Sequence, residues 1–158
     1  MGESERTYAV GILTKDEKIK EALVEEFEGE KNVAIIDLVG MGNESAKTFI
    51  DNVNADIIVT DEDSFTDTES REIIDDKIKK SGDTYFVTAY NDENAARMYD
   101  INELFLKNEV PVFPSKIGFD GGYGMLAGNV RAAINVKINN KRRAERVISE
   151  LSERVRNG

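Results

Sequence analysis

Short apolar runs alternate along this chain with segments whose apolar residues recur every three or four positions. Tyr8–Thr14 (YAVGILT) predicts a first strand, and Asp16–Phe27 a helix with Ile19, Leu23 and Phe27 on one side. Val33–Leu38 reads as a second strand. Asn43 or Ser45 is placed to cap a helix running to about Val53, with Phe49, Ile50 and Val53 inward. Asp56–Thr60 is the third strand. Thr68–Lys80 is a helix carrying Ile73, Ile74 and Ile78, and Ser81-Gly82-Asp83 should stop it. Thr84–Thr88 gives the fourth strand, and Asp92 to about Lys107 a helix with Ala95, Ala96, Met98, Tyr99 and Leu104. Val110–Phe113 is the fifth strand, in which Pro111 indicates an edge position or a strand start. The Gly-rich loop Ile117–Gly124 leads into a last helix from about Met125.

Five strands, each followed by a helix, call for an α/β fold: a parallel sheet covered on both faces and joined by right-handed crossovers. The expected arrangement is the flavodoxin-like, receiver-like doubly wound order 2-1-3-4-5 with an extended C-terminal helix. Its functional crevice should lie at the C-terminal strand ends.

Composition narrows the chemistry. The 158 residues contain no Cys and no His, which removes thiol, disulfide and imidazole chemistry from this chain. No apolar run approaches the length of a membrane span, and the N-terminus lacks a signal layout, so the expected location is cytoplasmic. The net charge of −10 is uneven: residues 137–158 hold seven Lys/Arg against three Glu, a net of +4, leaving −14 on the rest. An acidic body disfavours nucleic acid, except through the basic tail Lys141–Arg146.

The strand ends gather a hydroxyl, a carboxylate and an ammonium. Strand 3 ends at Asp61, strand 4 at Thr88-Ala89, and strand 5 leads to Lys116. A carboxylate can accept a phosphoryl group that a hydroxyl and an ammonium then hold. The stretches DIIVTD (Asp56–Asp61), FVTAYNDENAARMY (Phe86–Tyr99) and VPVFPSK (Val110–Lys116) resemble a response-regulator receiver domain over roughly Thr7–Ile138. That resemblance implies Asp61 as the phosphoacceptor equivalent, Thr88 as the switch residue and Lys116 as the phosphate clamp.

Two departures from the family pattern bear on function. Receivers carry two acids after strand 1 that hold Mg²⁺; here Thr14 and Lys15 stand at those places. Asp61 is followed by Glu62-Asp63-Ser64-Phe65 where family members have Pro-Gly, and Lys116 is followed by Ile117 rather than Pro. The pattern resembles atypical, or pseudo-, receivers such as those of pilus-assembly and localisation proteins. The expectation is a non-enzymatic signalling or scaffolding module without cofactor, with Lys15 paired to Asp61 in the metal's stead. Lys116 is the other candidate partner for Asp61. The alternative is a working receiver phosphorylated on Asp61 by a histidine kinase. Mg²⁺ would then be held by Asp16, Glu17, Asp61 and Asp63. A flavodoxin-like small-molecule binder ranks behind both, since no phosphate loop follows strand 1. GFDGGYG (Gly118–Gly124) matches neither nucleotide-loop pattern and reads as a loop opening a helix.

The last helix is longer than the domain needs, about 48 Å if Met125–Arg156 is unbroken. Asn139-Asn140 is a candidate soft break, dividing a receiver-like domain (1–138) from a helical extension or linker (139–158). Ala144, Val147, Ile148, Leu151 and Val155 form an apolar seam on that extension. It predicts a protein partner, and a homodimer in particular. The expected partner surface, by the receiver resemblance, is the helix 4–strand 5–helix 5 face; Tyr90 and Phe113 are read as core or half-buried packing ahead of an aromatic side of that surface.

Overall fold

The computed structural model describes residues 6–49, 55–80 and 84–157. The predicted positions Ile50 and Val53, and the Ser81-Gly82-Asp83 stop, lie outside the described residues. The elements in chain order are β1 (Tyr8–Leu13), α1 (Glu17–Glu26), β2 (Val33–Asp37), α2 (Leu38–Met41), α3 (Asn43–Phe49) and β3 (Ile57–Asp61). They continue with α4 (Glu62–Thr66), α5 (Thr68–Lys80), β4 (Tyr85–Tyr90), α6 (Ala95–Lys107), β5 (Val112–Lys116) and α7 (Gly122–Asn157). All four strand pairings are parallel and the order is β2-β1-β3-β4-β5. This is the predicted doubly wound sheet.

Side-chain alternation along the strands builds two cores. Val10, Ile12, Ile57, Val59 and Val87 pack against Ile19 and Leu23 of α1 and Leu126, Val130 and Ile134 of α7. Leu13, Ile58 and Phe86 face Leu38, Ile73, Ile74, Met98 and Phe105 on the other side. Burying each such side chain contributes about 1.5–3 kcal/mol, which secures the sheet that positions the strand ends.

The chain departs from the predicted elements in particular places. α2 and α4 were not predicted; each is a single turn started by an aspartate cap, Asp37 on Gly40 N and Asp61 on Ser64 N. Ala46 N donates to Gly42 O, so α3 opens ahead of both predicted caps. β5 is shifted to Val112–Lys116 by its pairing with β4, from Phe86↔Val112 to Tyr90↔Lys116. Its Pro114 is tolerated because β5 is an edge strand. The glycine loop is short: Gly121 takes φ +82°, and a Cβ on Gly122 would lie 2.5 Å from the Ile117 carbonyl oxygen.

α7 shows no break at Asn139-Asn140; it is one helix of 36 residues. Asn in a helix interior costs no more than about 0.7 kcal/mol relative to Ala, and Asn140 Nδ2 donates to Tyr85 Oη (3.0 Å). Buried positions on α7 end at Lys137, and residues 139–155 are all exposed. Lys137 is buried against Asp56, the residue before β3. Its Nζ lies 3.1 Å from Asp56 Oδ1, while Arg6 Nη2 lies 2.6 Å from the same oxygen and Ala9 N donates to Oδ2. α7 therefore crosses the body from the C-terminal strand ends to the N-terminal ends and then runs on alone. Among the described residues no helix is long and apolar enough to cross a membrane.

Candidate functional site

The C-terminal ends of β1, β3 and β4 surround a crevice of about 340 Å³, lined by Lys15, Asp16, Asp61, Glu62, Asp63, Tyr90 and Asn94 among others. Asp61 closes β3 and its carboxylate is held on both oxygens. Thr14 Oγ1 donates to Oδ2 at 2.5 Å, and Ser64 N donates to Oδ1 at 3.0 Å. The Thr14 hydroxyl also accepts from Asp16 N (3.1 Å), which fixes the β1–α1 turn. Asp16 caps α1 by accepting from Lys18 N, and its second oxygen accepts from Tyr123 Oη (2.9 Å). Burial, followed by that bond and the charges of Asp16 and Asp61, pushes the Tyr123 phenol above its ordinary value.

The predicted pairing of Asp61 with Lys15 does not form. Among the described residues no ion pair joins Asp61 to Lys15, nor to Lys116. Strand alternation explains it: Thr14 follows Ile12 onto the Asp61 face, whereas Lys15 follows Leu13 toward α5. There Lys15 shares a second hollow with Asp67 and Ser70. Asp67 is held below the usual carboxylate range by its bonds from Ser70, and Lys15 adds to that. Lys116 turns to Asp92, Nζ to Oδ1 2.8 Å, and does not line the crevice. The Asp92 hydrogen bond and charge raise the Lys116 ammonium above its ordinary value.

Thr88 faces the opposite side of the sheet, fully buried, and donates to Asn102 Oδ1 of α6 at 2.8 Å. Its register neighbour Thr60 has a buried hydroxyl without a partner. Thr14, Lys15, Asp16, Asp61 and Asp63 thus meet at one place, while Glu17, Thr88 and Lys116 are elsewhere. Tyr90 packs against the α6-side core, and Phe113 stacks against Tyr85 at 6.0 Å. Tyr123, Asn102 and Asp92 were not singled out from the sequence. Only Tyr123 left a signal, as the one aromatic at the start of the Gly-rich helix.

The residues present do not fit a receiver's Mg²⁺ site. A hydroxyl and an ammonium occupy the two positions of the metal-holding acids. Among the described residues no three acidic side chains converge with metal-binding geometry, so Asp16, Glu17, Asp61 and Asp63 do not form such a group. The carboxylates of Asp16 and Asp61 are used as caps and loop bonds instead.

No family model matches the chain, and no curated protein matches it. Solved structures do. One is the signal receiver domain of a Vibrio parahaemolyticus protein assigned as a Luxo repressor. It is 10% identical, with 89% of this chain and 97% of that chain covered, at a TM-score of 0.59. Another is a response regulator from Colwellia psychrerythraea, 14% identical, covering 81% and 98%, at 0.55. A third is the FeoB G-domain from Methanococcus jannaschii, 17% identical, covering 85% and 99%, at 0.51. At these identities the likeness is one of fold, and the fold is that of receiver domains.

Proposed function

We propose that this chain is a receiver-like signalling module of the pseudo-receiver type. It acts by protein–protein contact and self-association, without enzymatic activity and without Mg²⁺-dependent phosphorylation. The observation that carries this reading is the state of Asp61. Its carboxylate is tied to a buried threonine hydroxyl at the first metal-ligand position and to the N-terminus of α4. Phosphorylating it would require breaking the 2.5 Å bond and exposing the Thr14 hydroxyl, in a crevice whose lining sets one lysine, Lys15, against four carboxylates. The absence of a nucleotide-loop pattern separates the chain from the G-domain that shares its fold. A cytoplasmic setting fits the composition.

The test is beryllofluoride with Mg²⁺, added to the isotope-labelled protein while its amide spectrum is recorded. The expected spectrum is unchanged. The second reading is a receiver phosphorylated on Asp61 by a histidine kinase. It is favoured by the open crevice, whose rim includes Asp16, Glu62 and Asp63. Widespread shifts that disappear in Asp61→Asn would establish it and overturn the first.

A further inference from the structure

The outer face of α1 and the free half of α7 carry opposite charges beside matching apolar stripes. On α1, Ile19 and Leu23 enter the core, while Val24 stays 49% exposed. Glu17, Glu21 and Glu25 are exposed beside it. With Glu28 and with Ile35 of edge strand β2 they line an open groove of about 600 Å³. The one cation in that lining, Lys20, is already paired with Asp37 at 3.0 Å. The groove is therefore apolar at its floor and acidic along its rim.

On α7 the counterpart lies beyond Ile138. Val147, Ile148 and Leu151 form an apolar stripe, each about half exposed (46%, 63% and 52%). Helical spacing places Lys141 on one flank of the stripe and Arg143 and Arg154 on the other. The stripe cannot reach the α1 of its own molecule. The first half of α7 already lies along α1, where Arg131 pairs with Glu26 and Glu30. Lys137 and Asn140 then pin the helix at Asp56 and Tyr85. From there it continues straight for another 17 or so residues, about 26 Å. A second copy of this chain brings a helix complementary to the groove in charge and in apolar stripe.

We propose that the basic, apolar-striped end of α7 in one copy docks in the acidic α1–β2 groove of a second copy, and that two such contacts close a two-fold pair. This rests on the self-associating reading above and gives it a surface different from the α6–β5–α7 face expected from resemblance.

Sedimentation equilibrium of the full chain tests it. The expected mass is twice the 17.7 kDa of one chain at low salt. It should fall toward one chain at about 1 M salt, where exposed charges are screened within about 3 Å. Glu17→Lys/Glu21→Lys/Glu25→Lys should give a single-chain mass, and so should Lys141→Glu/Arg143→Glu/Arg154→Glu. All six side chains are exposed, so both variants should keep the wild-type far-UV spectrum. An equimolar mixture of the two should recover the doubled mass, because each variant's tail then meets a groove of opposite sign. A groove variant that still sediments at twice the chain mass overturns the docking site while leaving self-association intact. A wild-type chain that sediments as one copy at every concentration overturns both.

Discussion

Two aspartates bracket the same central strand and are treated in opposite ways. Asp56, immediately before β3, is buried, with Arg6 and Lys137 on one oxygen and the Ala9 amide on the other. Asp61, the last residue of β3, borders an open crevice and is held by a hydroxyl and an amide, with no cation in contact. A buried carboxylate needs compensation because desolvation penalises an unpaired charge by several kcal/mol. A half-exposed one keeps water and can be held by hydrogen bonds alone. Two cations, Arg6 and Lys137, are thus committed at the end of β3 remote from the crevice, where Lys137 fastens α7 to the sheet. The crevice holds one lysine, Lys15, against the carboxylates of Asp16, Asp61, Glu62 and Asp63.

Removing the lower carboxylate should do the most damage. Asp56→Ala removes the buried carboxylate shared by Arg6, Lys137 and the Ala9 amide and should lower unfolding free energy by about 3–5 kcal/mol in urea titrations. Asp61→Ala removes the cap of α4 and the acceptor of Thr14, with an expected loss of about 1–2 kcal/mol. Equal losses at the two positions would break the contrast. Lys116→Ala removes an exposed pair with Asp92 and should change stability by less than about 0.5 kcal/mol. A loss as large as that from Asp61→Ala would show that Lys116 supports the crevice after all. The smallest effect is in the acid limb. The Gly40 amide, with help from Lys20, holds Asp37 below its ordinary value of 3.8. The lowered value means that this stability is present above pH 3.8 and is lost as the pH falls through the folded value. Asp37→Asn should flatten that part of the stability–pH curve and leave the neutral region unchanged but for a small constant offset.

The sheet order and both cores were legible because apolar period and strand–helix alternation are long-range averages that one residue cannot overturn. Of the expected set, Thr14 and Asp61 were legible as neighbouring strand-end positions and are bonded to each other, whereas Thr88 and Lys116 face elsewhere. Which groups touch was not legible. Thr14 and Lys15 are neighbours in sequence, yet alternation at the strand end sends them to different faces, and the family pattern alone drew attention to the charged one. Lys116 has a nearer anion in Asp92, a loop residue with no pattern of its own. α4 escaped notice because Glu62–Thr66 is too short for any period and is announced only by its cap. The Asp56–Lys137 pair spans 81 residues and carries no local signature.

The packed half of α7 and its projecting half make the helix a lever. Its bearing is the contact of Lys137 and Asn140 with the sheet, and its overhang is about 26 Å. A tilt of roughly 10° at the bearing sweeps the far end through roughly 5 Å, nearly the rise of one helical turn. The arm from Tyr123 to Asn140 is as long as the overhang, so a displacement of the Tyr123 end would reappear at the tip at about equal size and in the opposite direction.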